Sequence, residues 1–333
     1  MADVARKAGV SPMTVSRALR PDTSVSEETR LRIQAAADEM GYVLDQAASS
    51  FSSGRSGFVA MTIPSINNAN FAETARGLSE ALRPSGYDLL LGYTDYDQAQ
   101  EERLIASFLR RRPEALVVTG GAHTDRCRKL LAECGAPVVE TWDLPSSPID
   151  KVVGFSNAEA GALMARHLHS CGFERIGFIG GDVGADTRGA DRRRGFVDEI
   201  ERLGLPSPKL VSIGPPPVSM QEGAAAMETL LAQHPDTQAV MCVSDLSAFG
   251  ALSAALNRGL SVPKDIAIAG FGAYDLSAHA YPPLTTVDVS AHLIGLKAGE
   301  VILSALMDDE VAASPDVIET PTKLVLRAAT NPT

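Results

Sequence analysis

Apolar positions over residues 1–41 recur three and four apart, the spacing of one buried helix face: Val4, Ala5 and Ala8, then Val15 and Leu19, then Ile33, Ala36, Ala37 and Met40. Three short helices are predicted. Gly9 ends the first, because glycine takes the left-handed backbone beyond a helix without a Cβ clash. Ser11 is placed to accept from a free N–H at the start of the second, and Pro12 falls at the first helical position, where no N–H is needed. Ser26, followed by Glu27 and Glu28, opens the third, and Gly41 closes it. Inward placement of Val15 and Leu19 leaves Pro12, Met13, Ser16 and Arg17 facing out. A short second helix with a varied outer face suits a reader of the major groove, a helix-turn-helix, although a plain helical hairpin has the same spacing.

From Phe58 onward the rhythm changes. Short, nearly continuous apolar runs stand at Phe58–Ile63, Leu89–Tyr93, Ala115–Thr119, Pro137–Glu140 and Val152–Phe155. They continue at Arg175–Ile179, Leu210–Ile213, Ala239–Val243 and Ile266–Gly270, and helical patterns such as Ala69–Leu82, Ala158–Ser170 and Arg188–Leu203 separate them. This alternation predicts parallel sheets covered on both faces. The strands are too many for one comfortable open sheet, so two lobes are expected, dividing near Phe155–Asn157 with a return near Pro282–Val289. Between the two patterns, Asp45 to Gly57 is small and polar with one aromatic, Phe51, which reads as a weak helix or linker.

Composition narrows the reading. A chain of 333 residues, 45% hydrophobic, exceeds one typical domain and can build full cores. No apolar run is long enough to span a bilayer, so a cytoplasmic protein without membrane partners is expected. Cys127, Cys134, Cys171 and Cys242 show no metal-ligand or redox spacing and read as reduced thiols. The net charge of −11 argues against nucleic-acid binding in general. In the head, Arg6, Lys7, Arg17, Arg20, Arg30 and Arg32 nearly balance Asp3, Asp22, Glu27, Glu28, Asp38, Glu39 and Asp45, so phosphate attraction should be modest. No dinucleotide fingerprint, phosphate loop, Gly-x-Ser-x-Gly or metal cluster is present, so neither an enzyme nor a cofactor is expected.

The chain resembles the lactose-repressor (LacI) family of bacterial transcription regulators. The residues that carry this are Asp3-Val4-Ala5, Ala8 to Ser11, Thr14 to Arg17, Val25 to Arg30 and Gly41-Tyr42. Ile63 to Ser65, Asn70-Phe71, Val138 to Glu140, Val153 to Phe155 and Ile268 to Phe271 look most like the gluconate-type repressors of that family. The resemblance implies an α/β fold: an all-α helix-turn-helix head and a periplasmic-binding-protein type I body of two Rossmann-like lobes. Residues 1–43 are the expected head, 44–56 the hinge and 57–333 the body, with lobe 1 at 57–155 plus 286–310 and lobe 2 at 156–285 plus 311–328. A homodimer on a pseudo-palindromic operator is implied, read by Ser11, Pro12, Met13, Thr14, Ser16, Arg17 and Tyr42. Phe51 stands where relatives wedge an apolar side chain into the minor groove; covering the top of the core is its other reading.

Ligands of open α/β lobes meet the carboxyl ends of the strands. Residues following the strands are therefore effector candidates: Ser65, Asn68, Phe71, Asp95, His123, Trp142, Arg192, Asp245 and Asp275. Arg192 matches the family's Arg-x-x-Gly-aromatic motif, whose arginine contacts the effector, while Arg193 and Arg194 read as a solvated face. His123 reads equally as a satisfied loop histidine, and Trp142 equally as core. Ser156, Ser244 and Gly272-Ala273 stand where many relatives carry Asp, Asn and an Asp pair. Loss of acids there favours an anionic effector, a sugar acid such as gluconate. Met1-Ala2 replaces a capping segment before Asp3, and Asp45 is unfavourable near phosphates, which leaves a solute sensor with an impaired head as the alternative.

Overall fold

In residues 1–56, one of the two units into which the chain divides, helices form at α1 (Ala2–Ala8), α2 (Pro12–Ala18) and α3 (Glu27–Glu39). The computed structural model describes residues 1–19, 24–42, 56–181, 184, 186–307 and 316–331. Gly9 is left-handed at φ 65° and stops α1, which begins with no side-chain cap. Ser11 caps α2 and Ser26 caps α3 through the N–H groups of Thr14 and Thr29. Val4, Ala5, Ala8, Val15, Ala18, Ile33, Ala36 and Ala37 form the head's core, with Leu19 and Tyr42 packed at its edge. Met40, placed on the stripe by spacing, is exposed.

Residues 57–333 build on two parallel sheets. The first sheet contains β1 (Phe58–Ile63), β2 (Asp88–Tyr93), β3 (Ala115–Thr119), β4 (Val138–Thr141), β5 (Lys151–Gly154) and β11 (Val317–Glu319), in the order β11-β5-β4-β3-β1-β2. Helices α4 (Ala69–Leu82), α5 (Gln98–Leu109), α6 (Asp125–Ala132) and α12 (Ala291–Leu306) cover it. Strand alternation sends Val59, Met61, Val117, Val139 and Val153 toward Leu78, Leu82, Ile294 and Val301. The other face sends Ala60, Leu116, Val118 and Val138 toward Ile105, Phe108 and Leu131. Burial on both faces is why these strands read as unbroken apolar runs. β2 is an edge strand, which leaves Leu91 and Tyr93 exposed.

The second sheet runs β7-β6-β8-β9, from β6 (Ile176–Ile179), β7 (Lys209–Val211), β8 (Ala239–Cys242) and β9 (Ala267–Ala269). Helices α7 (Asn157–Ser170) and α8 (Thr187–Arg202) pack on one face; α9 (Met220–Gln233) and α10 (Asp245–Asn257) pack on the other. The short helix α11 (Asp275–His279) follows β9. Antiparallel β10 (Thr286–Asp288) and β12 (Lys323–Val325) form a two-stranded link. Residues 311–328 are expected in the second lobe, but within that range β11 pairs with β5 at Val317, Ile318 and Glu319, so these three extend the first sheet before β12 pairs with β10. A single short strand carries no signal of which sheet edge it extends. No described helix is long and apolar enough to cross a membrane.

Candidate functional site

The head presents α2 as its most varied surface. Met13 is 65% exposed, and Pro12 and Arg17 are exposed beside it. Ser11 and Thr14 hold each other at 2.9 Å while Ser11 Oγ accepts from Thr14 N, so both hydroxyls shape the helix start. Ser16 is half-buried, and Tyr42 packs against the head core. Arg30 donates to the carbonyl of Ala18, tying α3 to the end of α2. Phe51, together with Asp45 and most of the expected hinge, lies outside the described residues.

In the body, a cleft of about 480 Å³ opens between the two lobes at the carboxyl ends of their strands. Ser65, Asn68, Phe71 and Trp142 from the first lobe, and Arg192 from the second, line it together. An aromatic run backs the cleft, with Phe155 buried behind the lining rings of Phe71, Trp142 and Phe271: Phe71 to Trp142 at 5.0 Å, Trp142 to Phe155 at 5.7 Å and Phe155 to Phe271 at 6.1 Å between ring centroids. Trp142 is 4% exposed and its indole N–H donates to Thr74 Oγ1, so the side chain is both core and cleft wall. Trp142 and Tyr96, another lining residue, are left-handed at φ 72° and 59°. Such conformations cost about 1–3 kcal/mol each and cluster at functional sites.

Two arginines dominate the electrostatics. Arg188 and Arg192 stand four apart on α8, which puts both on one helix face. Arg192 lies 4.0 Å over the Phe271 ring and donates to Asn157 Oδ1 at 2.6 Å. Asn157 in turn donates to the Trp142 carbonyl, linking the lobes. Arg188 lies 5.5 Å over Phe71. Both face Asp186, at 3.7 Å from Arg188 and 3.8 Å from Arg192. Burial lowers the Arg192 pKa from its ordinary value, though a guanidinium keeps its charge. Arg188 Nη1 and Arg192 Nε are buried with no hydrogen-bond partner among the described residues. Among the described lining residues Asp186 is the only acid, so the cleft is cationic and has donors to spare.

Four expected effector residues fall elsewhere. Asp95 is exposed beside β2 and outside the cleft. Asp275 is 96% exposed in the first turn of α11, where its near partner is His279. Asp245 is fully buried beneath the cleft, accepting from Tyr274 N and Thr286 Oγ1 at 2.7 Å each. It therefore positions Tyr274, which lines the cleft, instead of facing it. His123 turns inside the first lobe, with Nδ1 2.8 Å from Glu101 and Nε2 3.6 Å from Glu140. Burial opposes its protonation, but the Cys127, Glu101 and Glu140 side chains beside it prevail and push its pKa up to about 11. The strand-end rule fixes which end of a sheet a residue occupies but not the direction of its side chain. Arg188, Tyr96 and Asp186 were missed, whereas Tyr274 falls within the run after β9 from Phe271 to Asp275 that the strand-end rule picks out. The four-residue spacing of Arg188 and Arg192 was the available signal for the first. Of the neighbouring arginines, Arg194 is exposed as expected, whereas Arg193 is half-buried and donates to the Gly180 carbonyl.

Residues 1–45 match the family model for bacterial regulatory proteins of the lacI family, and residues 165–330 match that of a periplasmic binding protein-like domain. The chain is 37% identical over 312 residues to the HTH-type transcriptional regulator GntR of Pseudomonas aeruginosa, covering 94% of this chain and 90% of that protein. A LacI-family transcriptional regulator from Silicibacter pomeroyi has a similar structure, with a TM-score of 0.88 at 33% identity over 98% of both chains. The transcription regulator GntR from Chromobacterium violaceum gives a TM-score of 0.76 at 34% identity, over 82% of this chain and 99% of that one.

Proposed function

This chain belongs to the lacI family of bacterial regulatory proteins and is a DNA-binding transcriptional regulator, and from that premise we propose that it is a repressor released from its operator by a sugar acid. Residues 1–43 would serve as the reading head and 44–56 as the hinge of a cytoplasmic homodimer on a pseudo-palindromic operator. Met13 and Pro12 would meet thymine methyl groups, and Arg17 a guanine or a phosphate.

The observation that carries the effector class is the pair of orphaned guanidinium donors on Arg188 and Arg192 in a cleft with one described acid. Buried donors without partners are costly, and a carboxylate is a group that arginine binds in bidentate fashion. The aromatic wall of Phe71 and Trp142 suits the apolar face of a polyhydroxylated chain, and Ser65 and Asn68 supply hydroxyl partners. The gluconate-like sequence features point the same way.

Calorimetric titration with gluconate, related sugar acids and neutral sugars tests this. An acid should bind, and Arg192→Ala should weaken it by roughly 10- to 100-fold, the worth of one charge-assisted hydrogen bond. Response to a neutral sugar or nucleoside, with silence toward every acid, would sink the effector assignment. DNA binding measured with and without the bound acid then reads the direction of regulation.

A further inference from the structure

Outside the cleft, the first lobe holds a second group of functional side chains that the regulator reading does not use. Glu101 from α5, His123 from the loop after β3 and Cys127 from the first turn of α6 bring one potential ligand atom each within 4.8 Å of one another. His123 Nδ1 stands 2.8 Å from Glu101 Oε2, and Cys127 Sγ stands 3.9 Å from the same oxygen. The group is nearly dry: the side chains of His123 and Glu140 are each 1% exposed, and Cys127 is fully buried. No metal motif shows in the linear spacing, because the three residues come from three elements.

On its far side the imidazole meets a second carboxylate. His123 Nε2 and Glu140 Oε1 face each other at 3.6 Å, and both are buried without a hydrogen-bond partner among the described residues. The remaining Glu140 oxygen accepts from Ile149 N at 2.6 Å, which fixes the carboxylate in place. A metal-bound imidazole characteristically turns its second ring N–H onto a carboxylate, and Glu140 occupies that place.

We propose that Glu101, His123 and Cys127 form a zinc site in the first lobe, with Glu140 orienting the imidazole from its far side. Imidazole, thiolate and carboxylate together are a donor set that zinc accepts. Tetrahedral zinc spaces its ligand atoms about 3.3–3.7 Å apart. The Cys127–Glu101 separation of 3.9 Å is already near that spacing. The ion would take the place of the proton now held between His123 Nδ1 and Glu101, and the pair would open slightly. Burial raises the Cys127 pKa, so it is the charge of the bound ion that would draw off the thiol proton, which leaves to solvent. The ion would then tie the loop after β3 to α5 and α6. The site lies away from the effector cleft, so it stands or falls independently of the sugar-acid reading.

The test uses the full chain, free of tags and stripped with a chelator, titrated with cobalt(II) and, in competition with a chromophoric chelator, with zinc(II). One equivalent of cobalt should produce a thiolate-to-metal charge-transfer band and intense visible bands. Zinc should abolish them. Cys127→Ala should lose the charge-transfer band, and a variant with Cys134, Cys171 and Cys242 all changed to alanine should keep it. Glu140→Gln should lower zinc affinity roughly 10- to 100-fold. Absence of the band in the unsubstituted protein, or its absence in the variant that retains only Cys127, would overturn the proposal.

Discussion

Asp245 has no solvent exposure, yet both of its oxygens are paired, one with the Tyr274 N–H and one with the Thr286 hydroxyl. Burial nonetheless outweighs those bonds and the nearby Arg327, lifting its pKa from 3.8 to about 6. Between these two values the folded protein holds a proton that the unfolded chain has released. The stability contributed by this group is complete below about pH 4 and is lost as pH rises through about 6. A shift of this size corresponds to roughly 3 kcal/mol. Asp245→Asn keeps an acceptor for Tyr274 N and can donate to the Thr286 hydroxyl, so the fold should persist without this titration. Urea unfolding at pH 4 and pH 7 checks it: relative to the parent, the variant should gain up to about 3 kcal/mol on going to the higher pH. An unchanged gap between the two proteins at both pH values would refute the account. The family motif and the strand-end rule together were enough to bring Ser65, Asn68, Phe71, Trp142 and Arg192 to one cleft. They were not enough for Asp245 or His123, because whether a polar side chain meets solvent or a buried partner depends on residues distant in sequence, here Thr286 and Glu140.

Among the elements, α4 was legible to its exact limits, Ala69–Leu82, because one apolar face contrasts with a polar one. Helices α10 and α12 escaped notice for the opposite reason: they are apolar nearly all the way round, which hides the helical period. Their packing depends on a feature that periodicity does not show. Helices α7 and α8 approach so closely that a Cβ on Gly161 would sit 2.0 Å from the Arg192 carbonyl oxygen, and one on Gly195 would sit 2.0 Å from that of Ala158. Helices α9 and α10 do the same at Gly250, 1.9 Å from the Met220 carbonyl oxygen. Gly195→Ala must push α8 away from α7, and overpacking of this kind costs about 3 kcal/mol. Denaturant unfolding should show a lower midpoint with an unchanged slope. Because α8 carries Arg188 and Arg192, the same variant should bind the sugar acid less tightly. Stability within about 0.5 kcal/mol of the parent would mean that the helices do not meet as described.

At the scale of the whole molecule, net charge is a poor guide: −11 over the chain coexists with a nearly balanced head and a cationic cleft. Lobe membership was only partly legible, since β11 joins the first sheet from far along the chain. What joins DNA binding to effector binding is a free energy, and it is reciprocal. If the sugar acid weakens operator binding by some factor, saturating operator must weaken acid binding by the same factor, typically about 5- to 150-fold. Trp142 makes this measurable. It is the only tryptophan in the chain, it lines the cleft, and its ring meets Phe71 edge-on at 5.0 Å. Its fluorescence should therefore report effector occupancy without a label. Titrating the acid into free protein and into protein saturated with operator gives one factor; titrating operator with and without saturating acid gives the other. Equal factors above one, with the acid weakening DNA binding, are the expected outcome. Factors equal to one would leave a regulator whose cleft and head act independently, and induction by this ligand would be excluded. Equal factors of the opposite sign would make the acid a corepressor, with the same cleft favouring the DNA-bound state.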